Sequence, residues 1–208
     1  MIQTYFKNIE EELQKIYKIA SEAREQGKDP EPKVEMPLVK SMAQRVEGLI
    51  SVVAPQIIDS GVSERIGELE AEFTSLDWRI GLIIADEIAQ EKFCKFDTKL
   101  EAMIIGIRVG IAYITMGSVA SPLEGFVDLK IRQRKDGKEY LAMYFSGPIR
   151  SAGGTAASVA VLIADYVRKK FGYEAYDPSD YEIKRMVTEL YDYHERITNL
   201  QYLPSEKE

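Results

Sequence analysis

The stretch Tyr144-Phe-Ser-Gly-Pro-Ile-Arg-Ser-Ala-Gly-Gly-Thr155 joins a segment of alternating apolar residues to one that is apolar nearly all round. A chain whose hydrophobic period switches from two to 3.6 across such a loop must place a strand, a tight turn and a helix in succession. Gly147, Pro148, Arg150, Gly153 and Gly154 shape that loop. Glycines let backbone N–H groups converge where side chains would block them, and a helix N-terminus beyond adds partial positive charge. One reading has N–H groups around Gly153, Gly154 and Thr155 gripping a phosphate together with the Arg150 guanidinium, whose fork suits bidentate contact. The other is a close-packed strand-to-helix turn in which Arg150 pairs with a carboxylate. Composition leaves both open.

The rest of the chain punctuates itself. Ile9, Leu13, Ile16, Ala20 and Ala23 recur at intervals of three and four and predict a helix from Tyr5 to Gln26, closed by Gly27 and Pro30. Packing on the same chain is the simpler use of that stripe, and dimerisation is the alternative. Pro32 and Pro37 flank an extended link. Met42, Val46, Leu49 and Val53 mark a second helix ending at Pro55, and Gly61 and Ser63 introduce a third that turns Ile66, Leu69 and Phe73 inward. Asp77 is placed to cap a fourth bearing Ile80, Ile84 and Ile88. Thr98 and Glu101 have capping-box spacing for a fifth, lined by Leu100, Ile104, Ile107, Ile111 and Ile114. Gly106 and Gly110, four apart on it, admit a close neighbour.

Val127, Leu129 and Ile131 then alternate with Asp128, Lys130 and Arg132, and Asp136-Gly137 supplies a hairpin turn into Leu141, Met143 and Phe145. A helix from Thr155 to Phe171, expected to be buried on several sides, follows the glycine-rich loop. Asp177-Pro178 opens a last helix with Ile183, Val187, Leu190, His194 and Ile197 on its seam. The fold class is α+β and predominantly helical: N-terminal helices, then a β-hairpin packed against long helices. Three regions are expected: an amphipathic helix over 1–30, a helical region over 31–97 and an α-β-β-α-α region over 98–208.

Charge narrows the function. The chain carries a formal −7, which argues against a generic nucleic-acid binder. Yet residues 126–172 hold nine basic side chains against four acidic ones, a local +5 that leaves −12 elsewhere. Arg132, Arg134, Lys135 and Lys138 crowd the hairpin tip, and Lys169 and Lys170 close the helix beyond the loop. These six, with Arg150, Gly153, Gly154 and Thr155, are the candidate nucleic-acid contacts. A solvated, charge-protected hairpin would look the same.

No Gly-Lys-Ser/Thr follows the loop, and no Gly-x-Gly-x-x-Gly occurs in it, so neither common nucleotide-binding fingerprint is met. His194 is the single histidine and sits on a seam, Cys94 is the single cysteine, and no spacing suits a metal. No catalytic residue and no metal or cofactor site is therefore expected within these residues. The lone cysteine suits a reducing cytoplasm, and the polar, acidic Met1 to Glu12 is unlike a signal peptide. Met103 to Ala120 is apolar but interrupted by Arg108, and its capped start marks a buried helix rather than a membrane span.

Met42-Ala-Gln-Arg-Val-Glu-Gly-Leu49, Gly61-Val-Ser-Glu-Arg-Ile66, Pro122-Leu-Glu-Gly125, Gly147-Pro-Ile-Arg-Ser-Ala-Gly-Gly-Thr155 and Leu200-Gln-Tyr-Leu-Pro-Ser205 together resemble the N-terminal region of the large subunit of archaeal family D DNA polymerase. The resemblance implies a replicative, DNA-directed DNA polymerase whose magnesium-dependent catalytic centre lies downstream of these residues. It also implies a smaller partner subunit with 3′→5′ exonuclease activity, contacts with downstream domains of the same subunit, a primer-template DNA substrate and no membrane. These residues would then aid DNA binding and assembly, with self-association open. A purely structural or oligomerisation role is the alternative. The helix-strand-strand-helix-helix order further resembles the start of a KH-type nucleic-acid module whose last strand would lie beyond Glu208. Gly172 to Pro178 replaces the Gly-x-x-Gly loop that such modules use to clamp a backbone.

Overall fold

A computed structural model describes residues 2–28, 39–147, 149, 154–197, 203 and 205. Within them the fold is mainly helical α+β. The helices are α1 (Ile2–Glu25), α2 (Met42–Ile50), α3 (Val62–Phe73), α4 (Trp78–Ala89) and α5 (Lys99–Ile114). A hairpin of β1 (Phe126–Gln133) and β2 (Glu139–Phe145) follows, then α6 (Gly154–Lys170) and α7 (Asp180–Arg196). From Thr98 onward the order is the one that the hydrophobic periods predict. Among the described residues the sheet has two strands, and the third strand of a KH-type layout, expected beyond Glu208, lies outside them.

Helix starts follow local chemistry. Ser41 Oγ accepts from Gln44 N–H, Asp77 from Arg79 N–H and Thr98 from Glu101 N–H, each satisfying an orphan donor. The Thr98 box is only half formed, because Glu101 returns its bond to the N–H of Asp97 at 3.0 Å. The buried Glu47 carboxylate of α2 reaches across to accept from Ser63 N–H at 3.0 Å and Asp59 N–H at 3.2 Å. An acid thus meets the positive end of α3.

Two apolar cores share a wall. One gathers Val46, Ile50, Ile57, Val62, Ile66 and Leu69 against Ile80, Ile84 and Ile88 of α4 and Ile105 and Val109 of α5. The other uses the opposite faces of the same two helices, Leu82, Ala85 and Ala89 with Met103, Ile107 and Ile111, against Phe126, Leu129 and α6. Burying an aliphatic side chain of this size contributes about 1.5–3 kcal/mol. The α4–α5 wall therefore anchors most of the fold. It also corrects the expected stripe on α5: residues 102, 103 and 105–113 are buried on both faces, whereas Leu100, Ile104 and Ile114 of that stripe are only half-buried.

Three other expectations change. The second helix ends at Ile50, where Ser51 Oγ turns back to Gly48 O, so Val53 is exposed rather than inward. α6 is buried along one face only: Ala160, Ile163 and Val167 are covered, while Val161 and Leu162 are about half exposed. α7 begins at a Ser179 capping box rather than at Asp177-Pro178, and none of its residues is buried, Ile183 included; Ile197, just past its end, is exposed as well. α1 forms as predicted, but its stripe enters neither core and Ile16 is 59% exposed. No helix among the described residues is long and apolar enough to cross a membrane.

The wall is possible because its backbones nearly touch. A Cβ at Gly110 would stand 2.7 Å from Gly81 O, one at Gly81 2.6 Å from the Ile114 side chain, and one at Gly106 inside contact distance of the Ala85 carbonyl. The Gly106 obstacle is backbone and cannot rotate away. Gly106→Ala, though it favours the helix by about 1 kcal/mol, is expected to destabilise the chain by about 2 kcal/mol net through overpacking. Urea denaturation checks this, and a Gly106→Ala chain as stable as the parent would contradict it.

Candidate nucleic-acid interface

The hairpin is aimed by a buried cation. Arg108, at the centre of α5, is 9% exposed and donates from Nη1 to Pro122 O at 2.8 Å and Leu123 O at 3.2 Å. Its Nη2 donates to Val127 O at 3.2 Å. Burial pushes the guanidinium below its ordinary value, and the Asp128 carboxylate opposes that shift. Arg108 thereby fixes the π-turn Ala120–Gly125 and the first residues of β1. A register irregularity between Phe126 and Asp128 follows, so Phe126 and Leu129 are both buried and Val127 turns outward.

The hairpin closes through Lys135-Asp136-Gly137. Arg134 N–H donates to Lys138 O, Gly137 N–H donates to Arg134 O, and Gly137 sits at φ 83°. This is the three-residue turn that takes glycine at its left-handed position. The register pairs Lys130 with Ala142, Arg132 with Tyr140 and Asp128 with Tyr144. Those residues share the face opposite Leu129, Leu141 and Met143, which belong to the second core.

The predicted contacts do not form one cluster. Arg134 is drawn into the fold: its side chain is 18% exposed and lies 3.2 Å from Asp136, 3.3 Å from Asp177 and 4.0 Å from Glu174, with a bond to Ala175 O. Lys138 pairs with Glu174 at 2.9 Å and holds that carboxyl below its ordinary value. Lys135 is exposed at the tip, and Arg132 is exposed along β1. Lys169 pairs with Asp165 at 2.8 Å, and Lys170 Nζ lies 5.3 Å from the centre of the Tyr166 ring. Gly154 and Thr155 open α6 at its far end, about 22 Å from Lys170 along a helix rising 1.5 Å per residue. Arg150 and Gly153 lie outside the described residues.

Beside Thr155 a cavity of about 300 Å³ is lined by Thr115, Ser118, Ser121, Ala156 and Val159. Ser121 Oγ is buried there with no hydrogen-bond partner among the described residues.

The candidate contacts left out Lys130, although it is one of the nine basic residues counted, and Tyr144. Lys130 Nζ stands 5.0 Å and Arg132 Cζ 5.8 Å from the centre of the Tyr144 ring, and Arg132 Nη2 donates to the Tyr144 hydroxyl. The signal was present in the two-residue period, which puts Lys130, Arg132 and Tyr144 on one face.

Fold and site together define a mainly helical α+β module that carries a cationic hairpin. The family described as "DNA polymerase II large subunit DP2, N-terminal" matches residues 4–208. DNA polymerase II large subunits from Nanoarchaeum equitans, Pyrococcus furiosus and Thermococcus kodakarensis are 48%, 43% and 43% identical over 98%, 100% and 100% of this chain. The chain spans only 16%, 16% and 11% of their respective lengths. It belongs to the family of N-terminal regions of DNA polymerase II large subunits.

The segment that neutralises the hairpin tip leads into α7, whose start depends on Glu182. Its carboxylate accepts from Tyr176 OH at 2.5 Å, Ser179 N–H at 2.8 Å and Ser179 Oγ at 2.7 Å, and these bonds hold it down at about 2. With the folded value depressed, the cap is fully formed above the ordinary 4.5 and is lost as pH falls through about 2. The Ser179 amide resonance is therefore expected to titrate with a midpoint near 2. A midpoint near 4.5 would contradict the cap geometry.

Proposed function

We propose that this chain acts as an N-terminal accessory region of a replicative DNA polymerase large subunit, aiding DNA binding and subunit assembly. Template-directed synthesis, its magnesium ions and the 3′→5′ exonuclease of the complex then belong to residues and subunits outside this region. The observation that carries the reading is the family match over nearly the whole chain, and the cations along β1 supply the physical means. In this reading its partners are primer-template DNA, the small exonuclease subunit and the downstream domains of the large subunit. A cytoplasmic setting follows from DNA replication as the task.

Phosphate contacts release counterions, so binding must weaken as salt rises. Fluorescence anisotropy with a labelled primer-template across a salt series is expected to give a linear log–log decline. Arg132→Ala is expected to reduce its slope by about one. Binding that ignores both salt and this substitution would defeat the DNA-contact reading.

A structural role remains the second reading, favoured by α1, where Tyr5, Ile16 and Ile19 are each about 60% exposed or more. If α1 joins two copies, sedimentation velocity shifts to a heavier species with concentration, and deletion of α1 abolishes the shift. A strict monomer with α1 present or deleted would rule that use out.

A further inference from the structure

We infer that the outer face of the hairpin is a stacking platform for single-stranded DNA, with Tyr144 holding a base and Lys130 and Arg132 holding the adjoining phosphates. The inference rests on the nucleic-acid reading above and sharpens it to a site and a strand state.

The geometry separates available cations from committed ones. Arg134 and Lys138 are neutralised by Asp136, Glu174 and Asp177, so the tip offers little free positive charge beyond Lys135. Arg132 has no carboxylate within ion-pair distance among the described residues. Lys130 has one loose partner, Asp128 at 3.7 Å, whose other carboxylate oxygen accepts from Leu129 N–H. Exposed pairs of that kind are weak and exchange readily for a phosphate.

Aromatic rings divide in the same way. Tyr140 shares the outer face but lies against Tyr176, with ring centres 5.1 Å apart. Among the described residues, Tyr144 makes ring and charge contacts with these two cations only. Ala142, between the two tyrosines on β2, leaves a shallow floor. A sheet-borne ring flanked by cations is the combination that binds unpaired nucleic acid: every base has a face to stack, and the charges track the backbone. Bases inside a duplex are already stacked on one another and have no face to offer. On binding, a base replaces a cation over the ring and the released cation meets a phosphate, so no buried contact is broken.

The test compares a fluorescein-labelled oligothymidylate with a duplex at one salt concentration. Tyr144→Ala is expected to weaken oligothymidylate binding about tenfold, and Tyr144→Phe, which keeps the ring, by less than about twofold. Duplex binding should be unchanged in both. Tyr144→Leu keeps apolar bulk and strand pairing, so a tenfold loss there excludes a folding defect as the cause. Oligothymidylate binding that survives Tyr144→Ala and Tyr144→Leu would overturn the platform, as would an equal loss for single strand and duplex. Binding of oligouridylate in preference to oligothymidylate would overturn its assignment to DNA. If the parent chain binds neither single strand nor duplex, the nucleic-acid reading fails and the platform with it.

Discussion

The near-contact of α4 and α5 is the constraint on which the rest of the structure depends. Gly81, Gly106 and Gly110 let two helices approach until backbone atoms of one meet those of the other. Both helices can then expose two apolar faces each, one to the α2–α3 core and one to the hairpin and α6. Any side chain at those glycines would push the wall apart and loosen both cores at once. The wall also sets the position of Arg108, which leaves α5 to grip three carbonyls ahead of and within β1. Helix packing is in this way converted into the orientation of the hairpin.

The motifs that carry the resemblance mostly serve that framework. Glu47 caps α3 from α2, and Arg65 of α3 grips Glu87 of α4 at 2.9 Å. Pro122 to Gly125 is the turn that Arg108 holds, and Gly125 is crowded by Ile149. Tyr113 secures the turn between α3 and α4: its hydroxyl donates to Glu70 at 2.8 Å and accepts from Leu76 N–H at 2.9 Å. Thr74 and Leu76 hold positive φ in that turn, a conformation that needs such fixed partners to persist.

Much of this was legible from residue order, because caps and periods are local. Asp77 and Thr98 announce their helices through the N–H groups directly ahead of them, and Asp136-Gly137 announces the hairpin. What is set by distant neighbours was not legible. The commitment of Arg134 depends on Glu174 and Asp177, which return some forty residues later. A count of charges over 126–172 stops just short of them. Val161 and Leu162 look like core in a helix that is apolar nearly all round, yet the core formed with α4 and α5 takes the face that carries Ala160, Ile163 and Val167 and leaves these two about half exposed. Within the site, lysine and arginine content drew attention to the tip, whereas strand parity points to the outer face.

On the platform proposed above, this outer face, rather than the tip or the start of α6, meets nucleic acid. Chemical-shift mapping of the isotopically labelled chain during titration with oligothymidylate tests it most directly. Perturbations are expected along Asp128 to Arg132 and Tyr140 to Tyr144, with Thr115 to Ser121 and Thr155 to Val159 unmoved. Perturbations confined to the start of α6 or to α1, with the hairpin silent, would contradict it.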